Sequence, residues 1–370
     1  MRYSVALSEH PDIGLATGEV IGQILNRIGS NPDLVFLFLT GPHLSSIEKC
    51  AETVISLLNP KLFIGTSAPS ILAHRQEIEG KPAIALWAGQ IDNCHGLHLT
   101  NDVPLPSDLA DESSVILIAD PHTFNPSPLL ASIPDGVNLV GGLTSTDPLH
   151  KSSQLILNKD IYESGAVAVL LPPGIGAHPI VSQGCRPIDQ PFTVTSSSNN
   201  VIYELAGRPA WDRLKELVQN SDKSTRELIT RGLHIGLVID EHLEKFEMGD
   251  FLIRTIIDVD RSNGTLTVGS EVPLGSTIQF QVRDPETASS ELHNLNQSLE
   301  AESVLLFTCN GRGHRFFGHP NHDAECFANQ LATTQVVGMF CGGELGPIGG
   351  RHFLHGFTAS ALLLGVKKIQ

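Results

Sequence analysis

Val304-Leu305-Leu306-Phe307-Thr308, followed at once by Cys309-Asn310-Gly311-Arg312-Gly313, reads as a hydrophobic strand entering a glycine-rich turn. Downstream, Ala324, Phe327, Ala328 and Leu331 recur at helical spacing, and Gln335-Val336-Val337 reads as a second strand. That strand enters a second glycine-rich turn, Gly338-Met339-Phe340-Cys341-Gly342-Gly343-Glu344-Leu345-Gly346-Pro347, and a third apolar run, Phe357 to Leu364, closes at Gly365. Strand, helix and strand in succession favour a parallel pair joined by a crossover helix, with the following strand free to pair as a hairpin. Glycine at the turns leaves backbone N–H groups open to a bound group, and each turn holds a charged side chain, Arg312 in one and Glu344 in the other.

The same unit recurs upstream. A first copy uses Leu34 to Leu39, a helix from Ser46, Leu62 to Ile64 before Gly65, and Ala83 to Trp87 before Gly89. Its helix presents Ile47, Cys50, Ala51, Val54, Ile55 and Leu58 on one face, and Ser45 with Glu48 has the spacing of a capping box. A second copy uses Val115 to Ile118, a short Pro-interrupted helix near Leu129 to Ile133, Asn138 to Val140 before Gly141-Gly142, and Ala166 to Leu171. The expected fold is mixed α/β with two related halves: mixed sheets with helices packed on them, built from repeated strand–helix–strand–strand units.

Between the second and third copies the pattern changes. Val181 to Thr195 reads as an irregular strand passage with several prolines, Val201 to Leu205 as a strand, and Pro209 as the first position of a helix burying Trp211, Leu214, Leu217 and Val218. Leu233 to Asp240, Phe251 to Val259, Leu266 to Gly269 and Thr277 to Val282 read as strands, with Asn263-Gly264 as a hairpin turn, and Asp284 to Leu299 as a helix. The polar run Gln219 to Arg226 is the expected boundary, dividing a domain at 1–220 from one at 221–370.

At 370 residues the chain has room for two domains with full cores. A net charge of −16 with no Lys/Arg-rich run argues against a nucleic-acid-binding face and an anionic membrane surface as partners. There is no Gly-Lys-Ser/Thr phosphate loop, and no apolar run approaches the roughly 18–20 residues of a membrane helix. The amino terminus lacks a signal-peptide pattern, and the six cysteines show no C-x-x-C pair, so reduced thiols and a cytoplasmic location are expected.

Several stretches, taken in order, resemble the FIST family, named for F-box and intracellular signal transduction proteins. They are Val181-Ser182-Gln183-Gly184-Cys185-Arg186-Pro187-Ile188, Gly207-Arg208-Pro209-Ala210, Gly249-Asp250-Phe251-Leu252-Ile253-Arg254, the Cys309 to Gly313 turn with His322-Asp323, and Gly343 to Pro347. The resemblance covers nearly the whole chain as an N-terminal FIST domain, 1–220, and a FIST C-terminal domain, 221–370. It implies a cytoplasmic sensory module for small ligands, with amino acids the usual proposal, acting through a separate signalling partner protein.

The residues supply a matching chemistry. Arg312, with the Gly311 and Gly313 amides, suits a carboxylate; Glu344, beside Gly343, suits an amine; together they match the two ends of a zwitterion. Asn310 supports the first turn, and Gln183, Cys185 and Arg186 are candidates to line the same cleft. Neither a cofactor nor a metal is expected: the His314, His319, His322, Asp323, Cys326 cluster has no established ligand spacing, and Asp323 reads as a helix N-cap. The leading expectation is non-enzymatic. The alternatives are an enzyme using Cys309 as nucleophile with His314 or His322 as base, and an interaction module that recruits a partner and binds no metabolite.

Overall fold

A computed structural model describes residues 2–145, 154–297 and 299–368. Two compact units emerge: Met1–Val181 together with His293–Gln370, and Ser182–Leu292. The fold is mixed α/β. All three copies of the strand–helix–strand–strand unit lie in the larger unit, and the smaller one is built differently.

Each copy contributes a parallel pair. Leu34–Thr40 pairs with Leu62–Ala68, Ser114–Ala119 with Asn138–Leu143, and Ser303–Cys309 with Val336–Cys341. The copy's last strand, Ile84–Gly89, Ala166–Leu171 or Ala359–Leu364, runs antiparallel beside the first. Outside it lies a leading strand, Tyr3–Ser8, His95–Leu99 or His178–Ser182.

Between the second and last strands of every copy is a hairpin, and that hairpin does not join its own sheet. The copy-one hairpin, Ser70–Ala73 with Gln76–Glu79, extends the copy-three sheet. The copy-two hairpin, Leu155–Leu157 with Asp160–Tyr162, extends the copy-one sheet, and the copy-three hairpin, Gly343–Ile348 with Arg351–His355, extends the copy-two sheet. The result is three six-stranded sheets exchanging hairpins in a cycle.

The register repeats as well. Gly65, Gly141 and Gly338 stand opposite Leu37, Leu117 and Leu306 on one side. On the other side they stand opposite Ile156, Leu345 and Leu72 of the incoming hairpins. A Cβ at Gly141 or Gly338 would run into the carbonyl of Leu117 or Leu306, so the second strand can lie this close only with glycine. Gly338 is therefore interior to a strand, and Gly343-Glu344-Leu345-Gly346-Pro347, expected as a turn, is itself a strand, because the exchanged hairpin gives it pairing partners on both sides.

Inner faces of the three sheets meet in one core that includes Phe36, Phe38, Trp87, Ile118, Val140, Phe307 and Met339. Outer faces are covered by helices: Ile13–Ile28 and Ile47–Leu58 on copy one, Pro126–Ser132 on copy two, and His322–Gln330 on copy three. Strands buried on both faces must be apolar throughout, which is why Leu34–Thr40 shows no alternation.

Two helix starts differ from expectation. No Ser45–Glu48 box caps Ile47–Leu58, because a 3₁₀ turn, Gly41–Ser46, runs directly into it. Asn321 holds the N-cap position of His322–Gln330, and Asp323 lies inside the first turn with its carboxylate turned to Arg312.

In the smaller unit, Phe192–Ser198, Val201–Leu205, Thr265–Val268, Phe251–Asp260, Leu233–Val238 and Thr277–Arg283 close into a small antiparallel barrel. Its core holds Val194, Ile202, Ile235, Leu266, Ile278 and Phe280, sealed by the helix Ala210–Asn220 through Leu214 and Leu217.

Candidate functional site

Aligning the copies at Gly65, Gly141 and Gly338 shows where copy three departs from the other two. Glu344 takes the position of Ile71 and Leu155, and its cross-strand neighbour His355 the position of Ile78 and Tyr162. Thr308 takes the position of Leu39 and Ala119. Cys309 and Cys341 face each other in register where copy one has Thr40 and Ala68. Polar and ionisable groups thus gather at one corner of the larger unit, around the carboxyl ends of Ser303–Cys309 and Val336–Cys341.

On the helix side of the copy-three sheet, Arg312 is fully buried. Its Nε and Nη2 donate to the two oxygens of Asp323 at 2.8 and 2.9 Å. Thr308 Oγ1 donates to Asp323 Oδ2 at 2.6 Å, and His322 Nδ1 stands 2.9 Å from Asp323 Oδ1. Burial alone would raise the Asp323 pKa, but the Arg312 guanidinium and the His322 contact outweigh it and hold the carboxyl well below the usual range. The Phe317 ring covers both side chains, stacked on His322 at 3.4 Å and lying 5.3 Å from the Arg312 guanidinium.

Two more carboxyls arrive on the copy-one hairpin. Glu77 Oε1 accepts from the Ala324 amide at 3.0 Å, at the start of the helix His322–Gln330. Burial, with the Asp323 charge nearby, pushes Glu77 up to about 8. Glu79 accepts from the His314 amide at 2.9 Å and meets its ring nitrogen at 2.9 Å. The carboxyl of Glu79 fills the space that a Cβ at Gly313 would need.

On the inner side, Glu344 is completely buried. Its Oε2 accepts from the Thr358 amide at 3.1 Å and hydroxyl at 2.7 Å, and the Cys309 thiol is a further hydrogen-bonding neighbour. Burial raises Glu344 to about 8 despite these donors. Above it lie exposed Asn310 and Gly342; the Asn310 amide donates to Ser145 Oγ at 2.6 Å, and the Gly342 amide to the Leu143 carbonyl at 2.9 Å. This outer lip therefore joins the strand ends of copies two and three.

Asn310, Gly311, Arg312 and Gly313 follow the end of Ser303–Cys309, and Gly343 and Glu344 follow the end of Val336–Cys341, with Arg312 engaged by Asp323 on the helix side and Glu344 by Thr358 on the inner side. Gln183, Cys185 and Arg186 lie in the smaller unit and are engaged inside it. Gln183 donates to the Phe251 carbonyl at 2.6 Å, Arg186 pairs with Asp284 at 3.0 Å, and Cys185 packs with Phe251 and Ile253. His314 and His322, considered as bases for Cys309, are turned to Glu79 and Asp323. Sequence reading missed Glu77, Thr308, Ser145 and Thr358. Thr308 was visible as a polar residue in an otherwise apolar strand, while Glu77 becomes visible only once the hairpin exchange is known.

An exchanged-hairpin α/β unit and a small barrel in one chain define the class of protein by fold, and sequence comparison identifies the family. The chain belongs to the FIST family: the FIST N domain matches residues 33–208 and the FIST C domain residues 210–347. It is similar along nearly its whole length to an uncharacterized protein of Mycobacterium tuberculosis (strain CDC 1551 / Oshkosh), 37% identical over 385 residues, covering 98% of this chain and 99% of that one. An uncharacterized protein of Mycobacterium bovis is likewise 37% identical, covering 98% of both chains. Among the described residues no helix is long and apolar enough to cross a membrane.

Proposed function

We propose that this protein is a sensory module that binds a small polar ligand at the copy-three corner, with an amino acid or similar zwitterion as the favoured class. The observation carrying this reading is the placement of Glu344 where the other copies have Ile71 and Leu155, with His355 in place of Ile78 and Tyr162 and the polar Thr308 in place of Leu39 and Ala119. Burying a carboxyl where an aliphatic side chain would pack costs stability and adds nothing to the fold that copies one and two lack. The carboxyl ends of parallel strands are also where α/β sheets hold ligands.

In this reading the exposed lip, Asn310 with the Gly311 amide and Gly342, meets the ligand first. Arg312 and Glu344 form the ionisable floor, and Gly313 and Gly343 keep the backbone close. Asp323 and Thr358 hold that floor in place when no ligand is present, so binding exchanges internal partners for ligand groups. That exchange is the conformational signal passed to a separate partner protein.

Thermal unfolding against a panel of amino acids and small carboxylates tests the reading. A ligand at about 100 times its dissociation constant adds roughly 2.7 kcal/mol. The expected result is a raised midpoint for one chemical class, lost in Asn310→Ala and Arg312→Lys variants that fold normally. A hit that both variants retain would move the site elsewhere; a panel without a hit would favour a partner-recruiting module.

A further inference from the structure

We propose that Cys309 and Cys341 form a redox pair, in which a hydroperoxide oxidises Cys309 and Cys341 resolves it to an intramolecular disulfide. The inference does not depend on what the corner binds.

The two cysteines are the last residues of neighbouring parallel strands and stand in register. Register neighbours in a parallel pair point to the same face, here the inner one, where Phe307, Met339 and Cys341 belong to the central core. Adjacent strands lie about 4.8 Å apart, inside the Cα separation of about 4.4–6.8 Å that a disulfide spans. Their Cβ atoms must converge slightly to bond. Cys309 can supply that movement, since it ends its strand and caps a 3₁₀ turn, Asn310–Arg312, accepting from the Gly311 amide at 3.4 Å. A bond made with some strain is the readily reduced kind, suited to reversible use.

Access differs between the partners. Cys309 is 8% exposed beneath the exposed Asn310 and Gly342, while Cys341 is fully buried, so the first is the one a small peroxide meets. Glu344, which burial raises to about 8, stands beside Cys309, and in its ionised form its carboxylate accepts the thiol proton. The Cys309 thiolate then attacks the peroxide, the O–O bond breaks, and water or an alcohol leaves, giving a sulfenic acid. Cys341 sulfur attacks the Cys309 sulfur, the S–S bond forms, the S–O bond breaks, and the hydroxyl leaves as water with the Cys341 proton. Peroxide is the oxidant, and both thiols are oxidised. The remaining cysteines serve as internal controls because none stands in strand register with a second cysteine: Cys50 and Cys326 lie in helices, Cys185 faces Arg283, and Cys94 lies outside the strands.

The test is peptide mapping of the wild-type protein after hydrogen peroxide and alkylation, without reductant. The expected product links the tryptic peptides 284–312 and 316–351, with fragmentation assigning the bond to Cys341 rather than Cys326, which shares the second peptide. Dithiothreitol should release the link. In Cys341→Ser, dimedone should trap a sulfenic acid at Cys309; in Cys309→Ser neither product should form. Alkylated Cys309 and Cys341 in peroxide-treated wild type, or a Cys309 sulfenic acid that persists with Cys341 present, would overturn the pair.

Discussion

The rung at Ile71 and Ile78 in copy one and the rung at Glu344 and His355 in copy three occupy the same place in the same repeat, yet one is hydrocarbon and the other ionisable. The first shows what the repeat needs to fold: two apolar side chains directed into the shared core. The second shows that copy three carries chemistry the fold does not require, held by the Thr358 hydroxyl where copy one has Ala83. A repeat thus serves as an internal reference, and departures from it mark the site more sharply than any single motif.

Transplanting the difference is the strongest way to break this comparison. Ile71→Glu places a carboxyl opposite Ile78, where Ala83 stands in place of Thr358 and the Thr40 hydroxyl, in place of Cys309, already donates to the Lys81 carbonyl; a loss of about 4 kcal/mol or more is expected in urea denaturation. A loss below about 1 kcal/mol would mean that Glu344 needs no special surroundings.

Next comes the ion pair. Asp323→Ala strands the Arg312 guanidinium in the interior and should cost about 3–5 kcal/mol. The double change Arg312→Met with Asp323→Leu, which replaces the buried pair by apolar side chains of similar size, should recover most of that stability while abolishing any ligand response. A double variant as unstable as the single one would show that the pair is needed for folding.

The pH dependence should be smaller and of opposite sign in the two units. Glu344 and Glu77, at about 8 in the folded chain against 4.5 otherwise, bind protons more tightly when folded. Their contribution is complete below about pH 4.5 and fades as pH rises toward about 8, by a few kcal/mol at most. In the smaller unit His234, lowered by burial from 6.5 to about 4, contributes above 6.5 and loses that contribution as pH falls toward 4. Urea midpoints measured from pH 5 to 9 should show a decline from Glu344 and Glu77 that levels off above about pH 8, made shallower by Glu344→Gln and left in place by His234→Gln.

The smallest effect belongs to the lip. Asn310→Ala removes one exposed hydrogen bond to Ser145 and should change stability by less than about 1 kcal/mol. A larger loss would make Asn310 structural and weaken its claim to meet a ligand.

Much of this architecture was legible in the chain itself. The apolar runs at Leu34, Val115 and Val304, each followed by a helix and a glycine-bearing strand, disclosed the repeat because burial on both faces admits little else. Arg312 and Glu344 stood out as charges among glycines. Local pattern also misled: Gly343 to Pro347 carries every mark of a turn, and Asp323 every mark of a cap, since glycine and aspartate have those roles when only sequence neighbours count.

Sequence by itself determined the repeated unit, the strands that must be buried, and the polar residues that had to be explained. Tertiary structure alone decided that hairpins are exchanged between copies, that Glu77 of the first copy completes the corner of the third, and that Arg312 faces Asp323. The physical reason is range. Apolar periodicity and turn chemistry act within a few residues and are written locally, whereas the partner of an edge strand or of a buried charge is chosen by packing between segments that lie far apart in the chain.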